Sequence, residues 1–219
     1  SFTSIDLVGD GSFTREVYLS DIDVWQLSIA GNIGEPQVYL DLAYSDNAPF
    51  VDTAQYINDE GNLIFSDMTR GHYWQAVVGM TDRYTALTWI SERITLTAEA
   101  MIQGNNLGGD ELEDTTYVVT DTAWGYQFLA TAAYFSVIPG MDVDVDLSFK
   151  HDVDGHGNGN VMGNLLKDNQ KSASLGVKAF YLTNWQFSAK YAWYFGNSNP
   201  EDRTIADRDN FSVSMTYTF

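Results

Sequence analysis

The sequence predicts an all-β chain folded as an antiparallel transmembrane β-barrel of the outer-membrane type, with about nine strands. Three observations carry that prediction. Apolar and polar residues alternate with period two over segments of roughly ten residues, and no segment has a convincing helical period. Short and long connections alternate strictly between these segments, as in barrels with short turns on one side and long loops on the other. The chain also carries 13 tyrosines and 6 tryptophans, side chains that favour boundaries where one end is apolar and the other wet.

The strands follow in chain order. The first clear one runs from about Ile22 to Asn32, with Trp25, Leu27 and Ile29 on its apolar face. Val38, Leu40, Leu42 and Tyr44 make the second face, and Trp74, Ala76, Val78 and Met80 the third. Ile94, Leu96, Ala98, Ala100 and Ile102 alternate with Thr95, Thr97 and Glu99. Trp124, Tyr126, Phe128, Ala130, Ala132 and Tyr134 form one face of the next strand. Met141, Val143, Val145, Leu147 and Phe149 then alternate with Asp142, Asp144, Asp146, Ser148 and Lys150. Ala173, Leu175, Val177, Ala179 and Tyr181 alternate with Ser174, Gly176, Lys178 and Phe180. Trp185, Phe187, Ala189, Tyr191, Trp193 and Phe195 alternate with Gln186, Ser188, Lys190, Ala192 and Tyr194. The ninth is FSVSMTYTF, Phe211 to Phe219. Strands of about ten residues suit a tilted membrane crossing and exceed the five or six usual in globular sheets.

The short connections lie around Gly34, Tyr84 and Pro139 and at Thr183–Asn184. The long ones run from Asp46 to Gly71, Gly104 to Asp121, Val153 to Gln170 and Asn197 to Arg208. A soluble sandwich has no reason to keep every second loop long. Glu92 shares the parity of Ile94 and Leu96, and a charge at mid-depth on a lipid face is costly. A turn extending to about Ser91 removes the conflict.

Composition sets outer bounds. A chain of 219 residues is enough for one domain or barrel, and the absence of cysteine excludes a disulfide framework and thiolate metal sites. A net charge of −19 excludes nucleic-acid binding through a basic footprint. The 44% hydrophobic and 14% aromatic content argues for a folded chain. No apolar run reaches the length of about 18 needed for a membrane helix, and no charged-then-apolar leader opens the chain. A mean hydropathy of −0.21 is compatible with a barrel, because half of each barrel strand is polar.

In barrels of this type the C-terminus is periplasmic, so the last long loop lies outside and, counting back, residues 1–21 form an outer-side loop. Residues 22–219 then hold the transmembrane strands. An odd count beginning outside departs from the even number of single-chain bacterial barrels. The expectation is a chain that makes up part of a larger barrel, with an N-terminal fragment missing. The alternative is a tenth strand at Phe13–Leu19.

The polar faces define the candidate lumen: Asp41, Glu99, Asp142, Asp144, Asp146, Lys150, Lys178 and Lys190. Three aspartates in a row on one face repel unless wet or paired with lysines such as Lys178. They line a pore, or they form an ion-pair lattice that holds register, or both. In HDVDGHGNGN, Asp152, Asp154 and Asn158 supply hard oxygens at alternating positions, as calcium prefers, with no glutamate at the twelfth position of an EF-hand. The acidic loops Asp110–Asp114 and Asn58–Glu60 could hold divalent cations against lipopolysaccharide phosphates, or be ordinary solvated tips. The three histidines are His72, His151 and His156. A hydrolase would need a serine or water held by His151 or His156, with an acid orienting it; the bland reading is a glycine-rich solvated hairpin tip, with no catalytic residues, no cofactor and no enzyme.

Several stretches occur in a familiar order: LSIAGNIGEPQVYLDLAYSDNAPF (Leu27–Phe50), TAWGY (Thr122–Tyr126), YFSVIPGMDVDV (Tyr134–Val145), HDVDGHGNG (His151–Gly159), KSASLGVKAFYLTNWQFSAKYAWYFG (Lys171–Gly196) and DRDNFSVSMTYTF (Asp207–Phe219). This order resembles the proteobacterial outer-membrane family catalogued as domain of unknown function thirteen-oh-two, over most of Ile22–Phe219. The resemblance implies a closed barrel in the outer membrane of a Gram-negative bacterium. It also implies partners: a periplasmic or lipid-anchored protein and an inner-membrane exporter of the resistance-nodulation-division type. The expected function is a conduit for hydrophobic or lipid-like compounds. The alternatives are a structural or adhesive barrel with a plugged lumen, and an outer-membrane hydrolase using a loop histidine. Tyr217 and Phe219 resemble the aromatic C-terminal signal read by the barrel-assembly machinery.

Overall fold

The computed structural model describes residues 3–7, 13–17, 21–50, 55–57, 63–65, 69–85, 89–107, 120–157, 166–182, 184–197, 206 and 208–219. Among the described residues there is no helix. The strands are β1 (Thr3–Leu7), β2 (Phe13–Val17), β3 (Asp23–Asn32), β4 (Gln37–Phe50), β5 (Gln55–Ile57), β6 (Leu63–Phe65), β7 (Thr69–Tyr84), β8 (Arg93–Asn105), β9 (Thr122–Ile138), β10 (Met141–Asp154), β11 (Gln170–Tyr181), β12 (Trp185–Gly196) and β13 (Asn210–Tyr217). Nine of them form one antiparallel sheet in the order β3-β4-β7-β8-β9-β10-β11-β12-β13. This is a meander, interrupted among the described residues only by the β5–β6 hairpin between β4 and β7.

The nine long strands are the nine that the alternation predicts, and the reason is local. Each carries apolar residues at every second position, a pattern that only a pleated strand places on one face. The register makes the faces continuous. Val145 of β10 stands opposite Val177 of β11, which stands opposite Ala189 of β12 and then Val213 of β13. A slip of one residue would turn any strand inside out.

The short connections are tight turns. Gly34 has φ +72° and Ile33 N–H donates to the Pro36 carbonyl at 3.0 Å. Gly140 at φ +80° closes the β9–β10 hairpin. Ser91 and Glu92 precede β8, so Glu92 lies in the turn and the charge conflict on the apolar face does not arise. Besides a register shift between Asp152 and Asp154 of β10, two bulges interrupt the ladders. One lies between Ser45 and Ala48 of β4, with Asn47 at φ +57°. The other lies between Met141 and Val143 of β10, where Asp142 accepts the Ser136 N–H at 2.7 Å.

The structure departs from the sequence reading in two places. Phe13–Val17 is a strand, but it pairs with Thr3–Leu7 in a separate two-stranded sheet. It therefore supplies no tenth strand to the main sheet. The long strands also outrun their apolar stretches: β4 continues to Phe50 and β7 begins at Thr69. Their ends stay paired beyond the bulge at Ser45/Ala48, so the first long connection starts later than Asp46.

Both edge strands of the sheet are exposed along their whole length. Because all eight pairings are antiparallel, the first and ninth strands run in the same direction. The buried core is small and lies at the long-loop end, where Ala48, Phe50, Tyr73 and Leu107 pack together.

Candidate functional site

Following the register across the sheet sorts every strand residue onto one of two faces. One face is apolar and unburied: Trp25 is 67% exposed, Leu147 56% and Val213 69%. Aromatic rows cross it near both ends. Trp25, Tyr44 and Trp74 stand opposite one another near the long loops, and Tyr181, Trp185 and Tyr217 near the short turns. On β7 and β9 the aromatics at the two ends, Trp74 and Tyr84, Trp124 and Tyr134, are ten residue steps apart, about 33 Å along the strand.

The other face is polar, and it gathers all eight charged residues that the sequence reading selected. Asp41, Glu99, Asp144, Asp146, Lys150, Lys178 and Lys190 fall on it by direct register, and Asp142 joins them opposite Phe180. Two connected groups form. In the first, the Tyr39 hydroxyl donates to Glu99 Oε1 and the Gln127 amide donates to Oε2. Tyr39 reaches across β7 because residue 79 is glycine; a Cβ there would collide with the Tyr39 ring. Gln127 stands opposite Lys150, whose Nζ lies 2.9 Å from the Asp152 carboxylate.

In the second group, Asp146 accepts from Thr131 Oγ1 at 2.8 Å and pairs with Lys178 Nζ at 2.8 Å. Serines continue it: Ser148 and Ser174 are bonded at 2.6 Å, Ser188 and Ser214 at 2.7 Å. These groups bind one another across the strands. The aspartate row on β10 is spaced by strand pleating and tied to its neighbours by lysine and threonine.

At the long-loop end the polar face is covered. Leu166 is 2% exposed and lies over Gly125, and Gly157 lies over Gln103. The Gly157 N–H donates to the Leu166 carbonyl at 2.8 Å, which ties the two flanks of the β10–β11 connection together. A cavity of about 100 Å³ remains beneath, between Leu166, Glu99, Gln127 and Lys150. Asp152, Gln103 and Tyr73 are buried here, the last two joined by a hydrogen bond from the Tyr73 hydroxyl to Gln103 Oε1. Nothing in the sequence marks Tyr73, Gln103 and Leu166 as a group, because Tyr73 and Gln103 meet through the β7–β8 register and Leu166 arrives over Gly125 from the flank of the β10–β11 connection.

The remaining candidates separate. His151 lies on the apolar face, 3.3 Å from the Tyr126 hydroxyl and edge-on to its ring. Its neighbour Asp152 points to the opposite face and binds Lys150, so the two do not form a His–Asp pair. His156 bonds through its backbone N–H to Thr120 Oγ1 at 2.8 Å. His72 Nδ1 sits 2.7 Å from Asp46 and 2.9 Å from the Tyr44 hydroxyl.

Of the cation candidates, Asn158 lies outside the described residues, as do Asp110–Asp114 and Asn58–Glu60. Asp152 is engaged by Lys150, and Asp154 stands across a register shift from it. No group of three or more acidic, histidine or cysteine side chains spaced to hold a metal occurs among the described residues. At the C-terminus, Tyr217 packs on Trp185 with ring centroids 4.6 Å apart, and Phe219 stands edge-on to Tyr217 at 5.0 Å.

The sequence model of a family described as "Protein of unknown function (DUF1302)" matches residues 4–219. No curated protein matches the chain.

Proposed function

The chain belongs to the DUF1302 family, and from that premise we propose that it forms part of an outer-membrane β-barrel, a conduit for hydrophobic or lipid-like compounds. The observation that carries this reading is the two-faced sheet. Large exposed apolar side chains such as Trp25, Leu147 and Val213 line one side. A soluble protein rarely leaves so extensive an apolar surface bare. Lipid is the solvent that accepts it, and the aromatic rows at its two ends sit at the two interfaces. The spacing fits: about 33 Å along a strand tilted by about 40° spans about 25 Å of hydrocarbon. The polar face, with its charged and hydroxyl residues, then lines the lumen. Periplasmic and inner-membrane transport partners and the barrel-assembly machinery belong to this reading, with Tyr217 and Phe219 at the periplasmic rim.

Closure follows from strand direction. β3 and β13 run the same way, so joining them directly would make a parallel pair. An antiparallel barrel containing this sheet has an odd number of further strands between β13 and β3. A second copy in the same membrane orientation does not serve, because its edge strands run in that same direction.

The test is reconstitution into liposomes with a trapped hydrophilic dye and, separately, a fluorescent fatty acid. The conduit reading expects passage of at least one probe class above that of empty liposomes. Membrane insertion without passage of either would overturn it. That outcome would favour a structural barrel with a plugged lumen, a reading supported by the cover that Leu166, Gln103 and Asp152 form over the long-loop end.

A further inference from the structure

The polar face contains a second cavity that neither the ion-pair lattice nor the conduit reading explains. It has a volume of about 380 Å³ and lies over β9 to β13, away from the covered end. Its floor is Gly176, which stands between Asp146 and Lys190 in the register. Its walls include Ser148, Ser174, Ser188 and Ser212.

The charges in it are unevenly satisfied. Asp146 holds Lys178 on one oxygen and Thr131 on the other, and Lys190 lies within electrostatic reach of it without a direct contact. Lys178 also stands opposite Asp144, which lies outside the cavity wall. Lys190 has no ion pair or hydrogen bond among the described residues. Its direct neighbours across the strands are Gly176, which has no side chain, and Ser212. The cavity wall therefore sets two ammonium groups, Lys178 and Lys190, against one carboxylate, Asp146, among hydroxyls, in a chain whose net charge is −19. An ammonium on a flexible stem, with hydroxyl donors around it, is a point-charge receptor for an oxyanion.

We propose that the Lys190–Gly176 cavity binds the oxyanion group of a phosphate, sulfonate or carboxylate ligand, with Lys190 as counter-ion and the neighbouring serines as hydrogen-bond donors. The lining is polar apart from Leu129, Val177 and Ala189, so it takes a headgroup and leaves any tail outside. The site rests on the polar face itself and not on that face enclosing a channel, so a failed liposome assay leaves it standing.

The test measures equilibrium binding of dodecyl phosphate, dodecyltrimethylammonium and inorganic phosphate to the full chain in neutral detergent. The expected result is saturable binding of dodecyl phosphate, weakened about tenfold or more by Lys190→Gln, the usual scale for losing a charge-assisted hydrogen bond. Lys190→Arg retains binding. Gly176→Val, which fills the cavity and leaves both lysines in place, abolishes it. Lys171→Gln, on the apolar face, has no effect. Competition by inorganic phosphate identifies the oxyanion alone as the ligand; binding of dodecyl phosphate without such competition identifies an amphiphile headgroup. Unchanged affinity in Lys190→Gln with native circular dichroism, equal binding of the cationic amphiphile, or no binding of either phosphate overturns the proposal.

Discussion

Two glycines on the polar face do opposite things. Gly79 lies under the Tyr39 ring, while a Cβ at Gly176 would come no closer than 3.7 Å to Asp146. Gly79→Ala should destabilise the folded sheet by about 1–3 kcal/mol, the usual range for overpacking, because it displaces Tyr39 from Glu99. Gly176→Ala should be close to neutral. Urea unfolding midpoints compare the two, and equal midpoints would refute the Tyr39 contact. Two ion pairs of similar length are likewise unequal. The Asp152 side chain is 2% exposed, whereas Lys178 and Asp146 are 45% and 20% exposed. Lys150→Met strands a buried carboxylate and should cost about 3–5 kcal/mol. Lys178→Met should cost at most about 1 kcal/mol. The reverse order of unfolding midpoints would show that burial does not govern these pairs.

A strand here is a ribbon with one apolar and one polar face, and its alternation was legible residue by residue. All eight charged candidates were assigned to one face from period two, and the register places them there. The assignment worked because pleating is local: neighbours in sequence must point to opposite sides. Leu27 and Ser28 test it at adjacent positions of β3, since Ser28 stands opposite Asp41. In lipid vesicles Leu27→Arg should cost about 2–4 kcal/mol, as for a charge at mid-depth, while Ser28→Arg gains a carboxylate partner and is tolerated. Equal folded fractions for the two variants in a urea titration would contradict a lipid-facing apolar side. The same local rule explains why His151 and Asp152 could not cooperate, although their adjacency in sequence invited it. The bulges at Ser45/Ala48 and Met141/Val143 were not legible, because each depends on how a partner strand takes up an extra residue.

At the scale of the molecule the open question is what lies beside β3 and β13. The chain has no cysteine, so introduced pairs report cleanly. Leu27→Cys or Ile29→Cys, combined with Val213→Cys or Met215→Cys, should give no intramolecular disulfide in membranes, since bridging needs Cα atoms within about 7 Å. An efficient cross-link in any pair would mean direct parallel closure and would sink the requirement for an odd set of intervening strands. The sequence by itself determined the nine long strands, their two faces and the tight turns between them. Those follow from side-chain period, glycine at positive φ and the cost of a misplaced charge, all of which act within a few residues. Only the tertiary structure decided that Phe13–Val17 pairs away from the main sheet, that Gly157 and Leu166 lie over Gln103 and Gly125, and that Lys190 stands beside Gly176 with no direct ion pair among the described residues. Each of these depends on which distant residue arrives opposite, and period carries no information about that. It is set by register and by the return path of the loops.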